Sequence, residues 1–145
     1  MGSRVSVKGF QVMTNAVTWT EKRLIEIDAA TLCRWLASDM AVLVDVREEW
    51  EFAQDRISGA INLPLTKFDI RKLPAHDGRR LVLICAVGRR SAQAAGIMMA
   101  TGYDKVTHLR GGMLSWDDAD YETVSGEPAK NTANASVAIL PCASA

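Results

Sequence analysis

The sequence predicts an α/β domain with a mostly parallel sheet and helices on both of its faces. Strand and helix patterns alternate about five times along the chain, as in folds built from repeated strand–helix units. The apolar run at 41–46 and the largely apolar segment 79–85 are typical of strands that are buried on both faces of a parallel sheet. The length of 145 residues suits one domain with a full hydrophobic core.

Each strand is predicted from a short apolar segment, and each helix from apolar spacing or from a helix-forming composition. The strand segments, in chain order, are 23–27, 41–46, 59–64, 79–85 and 105–110. Asp28 is a suitable N-cap for an amphipathic helix over 28–38, and Trp50 and Phe52 are the expected apolar anchors of a short helix over 47–55. The other helical segments are a turn or two within 65–78, a helix of small residues at 91–102 and a short helix after a glycine turn at 111–119.

The folded domain is predicted to span residues 23–121. Residues 1–22 show no sustained hydrophobic period, so we expect a flexible N-terminal arm. Residues 122–145 turn polar and acidic, which predicts a flexible C-terminal tail.

Charge and composition exclude several classes of partner. Acidic and basic residues balance at 17 each, so no global field attracts nucleic acid or an anionic membrane. No run approaches the roughly 20 apolar residues of a membrane helix, and the N-terminus lacks a secretory signal, so we expect a cytoplasmic protein. The chain has no C-x-x-C pair and no H-x-x-x-H motif, so we expect no metal site and no cofactor.

A cysteine ends the second buried run, and its surroundings favour the thiolate form. Cys85 lies at the carboxyl end of a predicted strand, where reactive groups of parallel sheets collect. The amides of residues 86–91, the dipole of the helix that follows, and the charges of Arg89 and Arg90 all favour an anion there. Gly88 suits a tight loop because glycine tolerates positive φ.

The same cradle of amides can hold a small oxyanion or the outer sulfur of a cysteine persulfide. Ser91 is the expected N-cap of the following helix. No histidine is near in sequence, and we interpret His76 and His108 as structural or solvated rather than catalytic. The spacing also differs from the C-x5-R loop of cysteine phosphatases, because Arg90 comes one place too early and Ser91 occupies the arginine position.

Four motifs in a fixed order resemble those of the rhodanese family of sulfurtransferases, and the resemblance extends from about residue 23 to residue 119. They are LVDVREEWEF (43–52), RISGAINLP (56–64), CAVGRRS (85–91) and LRGGMLSW (109–116). The resemblance implies a five-stranded parallel sheet flanked by helices. It also implies thiosulfate sulfurtransferase activity, in which a persulfide on Cys85 passes sulfur from thiosulfate or a similar donor to cyanide or a thiol.

The resemblance assigns roles to the active loop and to the strand beside it. Cys85 is the nucleophile, and the loop that binds substrate comprises Ala86, Val87, Gly88, Arg89, Arg90 and Ser91. Asp45 either orients this loop or caps the next helix, and Arg47 is expected to pair with Glu51 one helical turn later. Arg56 stands where the family often has histidine, and Val87 makes the rim apolar, which favours a protein or organic thiol as the sulfur acceptor.

Other functions stay open at this point. The chain could be a persulfide carrier that receives sulfur from a protein donor, or a non-catalytic interaction module of the same fold. A phosphatase or arsenate reductase is a further alternative, which the short loop disfavours. The expected partners are therefore a small anionic sulfur donor, a thiol or cyanide acceptor, and a protein donor or acceptor in the carrier alternative.

Overall fold

The computed structural model of the chain describes residues 22–127, so the predicted arm and most of the predicted tail lie outside the described residues. Within them, five strands form one sheet in which every neighbouring pair is parallel, in the order β1-β5-β4-β2-β3. The strands are β1 (Arg23–Ile27), β2 (Ala41–Asp45), β3 (Ile61–Asn62), β4 (Arg80–Ile84) and β5 (Lys105–Leu109). The predicted fold class is confirmed.

Four α-helices connect or follow these strands: α1 (Ala29–Ala37), α2 (Glu49–Gln54), α3 (Arg89–Ala100) and α4 (Gly112–Asp118). Asp28 caps α1 as predicted, since its carboxylate accepts a hydrogen bond from the backbone N–H of Thr31 at 2.8 Å. The segment 65–78 contains two short 3-10 turns, Leu65–Lys67 and Ile70–Lys72, in place of an α-helical turn.

Each face of the sheet has its own hydrophobic core. On one face, residues of α1 and α4 such as Leu32, Met113 and Trp116 pack on Leu43 and Ile84. On the other face, α3 and the segment after β3 form the second core with the strands. Its residues include Val44, Leu83 and Val106 of the strands, Cys85 after β4, Ala94, Ala95 and Met98 of α3, and Leu63 after β3. Trp116 is fully buried. This two-sided burial explains why β2 and β4 read as continuous apolar runs.

Two predicted details are wrong. Helix α3 begins at Arg89 with Gly88 as its N-cap, so Ser91 is the third helical residue and not the cap. Trp50 is 66% exposed, and Phe52 alone anchors α2 in the interior.

Residues 122–127 run back along α2. Val124 forms an antiparallel bridge with Arg56, and the Arg56 guanidinium donates to the carbonyl of Gly126. The indole N–H of Trp116 donates to the Glu122 carbonyl at 3.0 Å. No helix among residues 22–127 is both long and apolar enough to span a bilayer.

Candidate active site

Cys85 directly follows β4, at the carboxyl end of the sheet, and its sulfur is the centre of the loop. Its side chain is buried, with 1% of the residue exposed. The backbone N–H of Gly88 donates to Sγ at 3.1 Å, and the N–H of Ser91 donates at 3.2 Å. The N-terminus of α3 therefore points two amides at the sulfur, and this arrangement stabilises a negative charge there.

The tight curl of the loop requires a left-handed residue at Gly88. Its φ is +101°, and it is the residue that joins the loop to the first turn of α3. A side chain at this position would also approach the backbone nitrogen of Gly111 at 3.4 Å.

Helix α4 holds the outer side of the loop. The N–H of Met113 donates to the carbonyl of Cys85 at 2.8 Å, and the N–H of Leu114 donates to that of Ala86 at 3.1 Å. These bonds direct the first two loop carbonyls away from the sulfur, so that the following amides can face it. Gly112 permits this contact, because a Cβ there would lie 2.3 Å from the Cys85 carbonyl oxygen.

The two loop arginines differ in their surroundings. Arg90 donates two hydrogen bonds to the Glu51 carboxylate, at 2.7 and 3.0 Å, which fixes its guanidinium between the loop and α2. Hydrogen bonding from Arg90 holds the pKa of Glu51 below its ordinary value. Arg89 is exposed at the start of α3. Val87, in the loop, is 53% exposed, and Leu114 beside it is 56% exposed, so the rim is apolar.

Ser91 links the sulfur to a histidine that sequence reasoning left out of the site. Ser91 is fully buried; its Oγ lies 3.5 Å from Cys85 Sγ and 2.7 Å from Nδ1 of His108. On the far side of the ring, Nε2 of His108 lies 2.9 Å from a carboxylate oxygen of Glu26. His108 is far from the loop in sequence, but β5 brings it next to Ser91 of α3 in space.

Asp45 and Arg47 pair with each other, and neither the expected helix cap by Asp45 nor the expected pair of Arg47 with Glu51 is present. Arg47 donates to both carboxylate oxygens of Asp45, with the shortest contact at 2.8 Å, and also to the backbone carbonyl of Asp55. The cap of α2 is Glu48, so Asp45 is not its N-cap, and Glu51 pairs with Arg90 instead of Arg47. Asp45 is the last residue of β2 and lies opposite Ile84. Its carboxylate accepts hydrogen bonds from the side chain of Arg47 and from the backbone N–H of Arg47.

Comparisons with known proteins agree with this geometry. Residues 28–119 match a family model described as a rhodanese-like domain. The chain is 34% identical over 116 residues to the uncharacterised protein slr1261 of Synechocystis sp., covering 80% of this chain but only 62% of that protein. It is 39% identical over 92 residues to a sulfurtransferase of Allochromatium vinosum, covering 63% of this chain and 86% of that protein.

Two further similarities bear on function and fold. The putative sulfur carrier protein YrkF of Bacillus subtilis is 34% identical over 74 residues, covering 51% of this chain and 40% of that protein. Among solved structures, a rhodanese-related protein from Thermoplasma volcanium superposes with a TM-score of 0.59 at 29% identity, covering 69% of this chain and 97% of that one.

Proposed function

The chain belongs to the rhodanese family, and we propose that it moves sulfane sulfur from a small anionic donor such as thiosulfate to cyanide or a thiol, through a persulfide on Cys85. The observation that carries the proposal is the pair of amides, from Gly88 and Ser91, aimed at Cys85 Sγ from the start of α3. These donors suit a Cys85 sulfur that is a thiolate when it attacks the donor and becomes a thiolate again when it leaves the persulfide.

The reaction has two displacement steps at sulfur. In the first, the Cys85 thiolate attacks the outer sulfur of thiosulfate; a sulfur–sulfur bond to Cys85 forms, and the bond to the sulfonate sulfur breaks. Sulfite leaves with the bonding electron pair, and Cys85 becomes a persulfide anion. In the second, cyanide or a thiolate attacks the outer sulfur of the persulfide, and the Cys85 thiolate leaves and is ready for another cycle.

The surroundings of the loop match the charges of this scheme. Arg89 is exposed at the end of the loop, where its charge can attract a dianionic donor. Arg90 is held by Glu51, so its positive charge has a fixed position near the loop. Two amides of the loop from Cys85 to Ser91 converge on a single sulfur atom, and this favours a persulfide over a phosphate group as the species that the loop holds.

The test is the intact mass of the protein after incubation with thiosulfate, for the wild type and for Cys85→Ser. We expect the wild type to gain one sulfur atom that cyanide removes, and Cys85→Ser to gain none. Cys85→Ser keeps every other cysteine, so it is a matched control for labelling elsewhere. Labelling of both proteins would contradict the proposed role of Cys85.

A persulfide carrier with a protein donor or acceptor is the second candidate. The exposed apolar side chains of Val87 and Leu114 at the rim favour a macromolecular thiol over a free ion. The similarity to a putative sulfur carrier supports the same candidate. The two candidates differ in kinetics: a thiosulfate enzyme saturates with increasing donor concentration, whereas a carrier reacts with thiosulfate slowly and without saturation. A non-catalytic module would form no persulfide with either donor.

A further inference from the structure

We propose that Ser91, His108 and Glu26 form a proton relay that accepts the thiol proton of Cys85 when the reactive thiolate forms. In this relay His108 is the proton acceptor and acts through Ser91, while Glu26 orients the imidazole ring. The inference deepens the proposed function and rests on it, since it concerns how the same thiol is activated.

The relay is a continuous line of contacts from a buried sulfur to a partly exposed carboxylate. Cys85 Sγ to Ser91 Oγ is 3.5 Å, Ser91 Oγ to His108 Nδ1 is 2.7 Å, and His108 Nε2 to Glu26 is 2.9 Å. Ser91 and His108 are almost completely buried, whereas the Glu26 side chain is 46% exposed. The line therefore connects the thiol to the protein surface.

The backbone amides of the loop cannot accept the thiol proton. The amides of Gly88 and Ser91 donate to the sulfur, so they stabilise its charge but cannot receive its proton. The Ser91 hydroxyl is both a donor and an acceptor, and an imidazole can bind a proton at either nitrogen. A serine between sulfur and imidazole is thus the element that lets a proton leave.

The hydrogen bonds can adopt two consistent directions, and these differ by one transferred proton. With a thiol, Sγ–H donates to Ser91 Oγ, Ser91 Oγ–H donates to Nδ1 of neutral His108, and Nε2–H donates to Glu26. With a thiolate, Nδ1–H donates to Ser91 Oγ, Ser91 Oγ–H donates to the sulfur, and Nε2–H still donates to Glu26. The Sγ–H bond breaks, one O–H bond of Ser91 is exchanged, and the N–H bond at Nδ1 forms, so the net charge of the group is unchanged.

Acidic groups lie on two sides of the His108 ring. Glu26 on β1 lies in register with His108 and contributes a negative charge to one side of the ring. Cys85, beyond Ser91 of α3, contributes the other negative charge when it is ionised. The cations closest to His108 in the sequence, Lys105 and Arg110, both lie at exposed positions, where water screens their effect on the ring.

The first test is the pH dependence of the rate at which iodoacetamide alkylates Cys85, in the wild type, His108→Asn and Glu26→Gln. Asn keeps an acceptor for the Ser91 hydroxyl at the place of Nδ1 but cannot take up a proton. We expect the midpoint of the pH–rate curve to rise by about one unit in His108→Asn, which is about a tenfold slower reaction below the midpoint. Glu26→Gln should shift the midpoint in the same direction by less, and His76→Asn is the matched control without a shift.

The second test keeps the proposal falsifiable if His108→Asn does not fold. The ¹⁵N shifts of the imidazole nitrogens of His108 are followed with pH in the wild type and in Cys85→Ala. A relay makes the two titrations interdependent, so the pH dependence of the His108 shifts should differ between the two proteins. Identical His108 titrations in the two proteins, or an unchanged alkylation curve in a folded His108→Asn, would overturn the relay.

These measurements use no sulfur donor, so they separate the relay from the proposed function. Loss of the relay with normal thiosulfate labelling of Cys85 would leave the transfer reaction standing. A working relay with no sulfur gain from thiosulfate would instead overturn that donor, while the activation of the thiol would stand.

Discussion

Replacing Gly112 by alanine should destabilise the protein far more than an ordinary glycine substitution. The φ of Gly112 is +60°, and an added Cβ would lie 2.3 Å from the Cys85 oxygen and 2.7 Å from the carbonyl carbon and oxygen of Ala86. All three atoms belong to the backbone, so no side-chain rotation can relieve the contact. The left-handed conformation costs about 1–2 kcal/mol, and the displacement of packed backbone adds about 1–3 kcal/mol.

The expected loss of unfolding free energy for Gly112→Ala is therefore about 2–5 kcal/mol. At about 4–8 °C per kcal/mol for a domain of this size, Tm should fall by at least about 8 °C. Sulfur labelling at a temperature where the variant is still folded should also decrease, because the Cys85 carbonyl must move and the loop amides move with it.

Gly59→Ala is the matched control. Gly59 also has a positive φ, +87°, but nothing lies within 4 Å of an added Cβ. Its substitution measures conformational strain alone, at about 1–2 kcal/mol, and should leave sulfur labelling unchanged. Urea denaturation of the two variants gives the comparison; unfolding free energies within about 0.5 kcal/mol of each other would refute the steric argument, since such a difference is the size of an ordinary surface effect.

The remaining predictions concern the charged pairs. Arg90→Ala should cost about 1–2 kcal/mol in urea denaturation because it leaves a partly buried carboxylate without its partner, whereas Arg89→Ala, at an exposed position, should stay within about 0.5 kcal/mol. The pKa of Glu51 is lowered in the folded state, chiefly by hydrogen bonding from Arg90, so Glu51 adds stability above its ordinary value of 4.5 and loses that contribution as the pH falls through the lowered pKa. The stability difference between wild type and Glu51→Gln should accordingly be full at neutral pH and vanish in acid; a difference that grows on acidification would contradict this sign. Asp45→Asn should lower the free energy of unfolding by about 3 kcal/mol, because it leaves the buried charge of Arg47 without its partner. The folded fraction should show normal sulfur labelling. Loss of labelling would instead indicate that Asp45 supports the active loop.

The fold was predictable because its signals are local. The apolar residues within 41–46 and 81–85 are neighbours in sequence, and such runs are typical of strands that are covered on both faces. The position of the thiol was predictable for the same reason, since Cys85 ends one of these runs. Gly88 was also readable, because a loop this short before a helix needs a left-handed residue.

The errors arise where position depends on neighbouring strands or on where a helix begins. The predicted pair of Arg47 with Glu51 assumes helical spacing, but α2 begins at Glu49, so Arg47 lies before the helix and turns back to Asp45. The sequence did not predict that His108 and Glu26 lie near the loop. It identifies β5 and β1 as strands, but it does not show that β5 lies between β1 and β4. The polar residues within otherwise apolar strands were the available signal, since a buried histidine in a strand needs a partner.

The active loop takes its shape from elements on three sides, each through a different kind of contact. Helix α4 binds the carbonyls of Cys85 and Ala86, α2 holds Arg90 through Glu51, and β5 contacts Ser91 through His108. The first contact orients the amides, the second fixes a positive charge, and the third supplies a proton acceptor. A loop with only the first two contacts would stabilise the Cys85 thiolate but would not remove the proton from the thiol. The third contact lets the same loop generate its thiolate from a thiol, so measurements at His108 test activation of the sulfur separately from its binding.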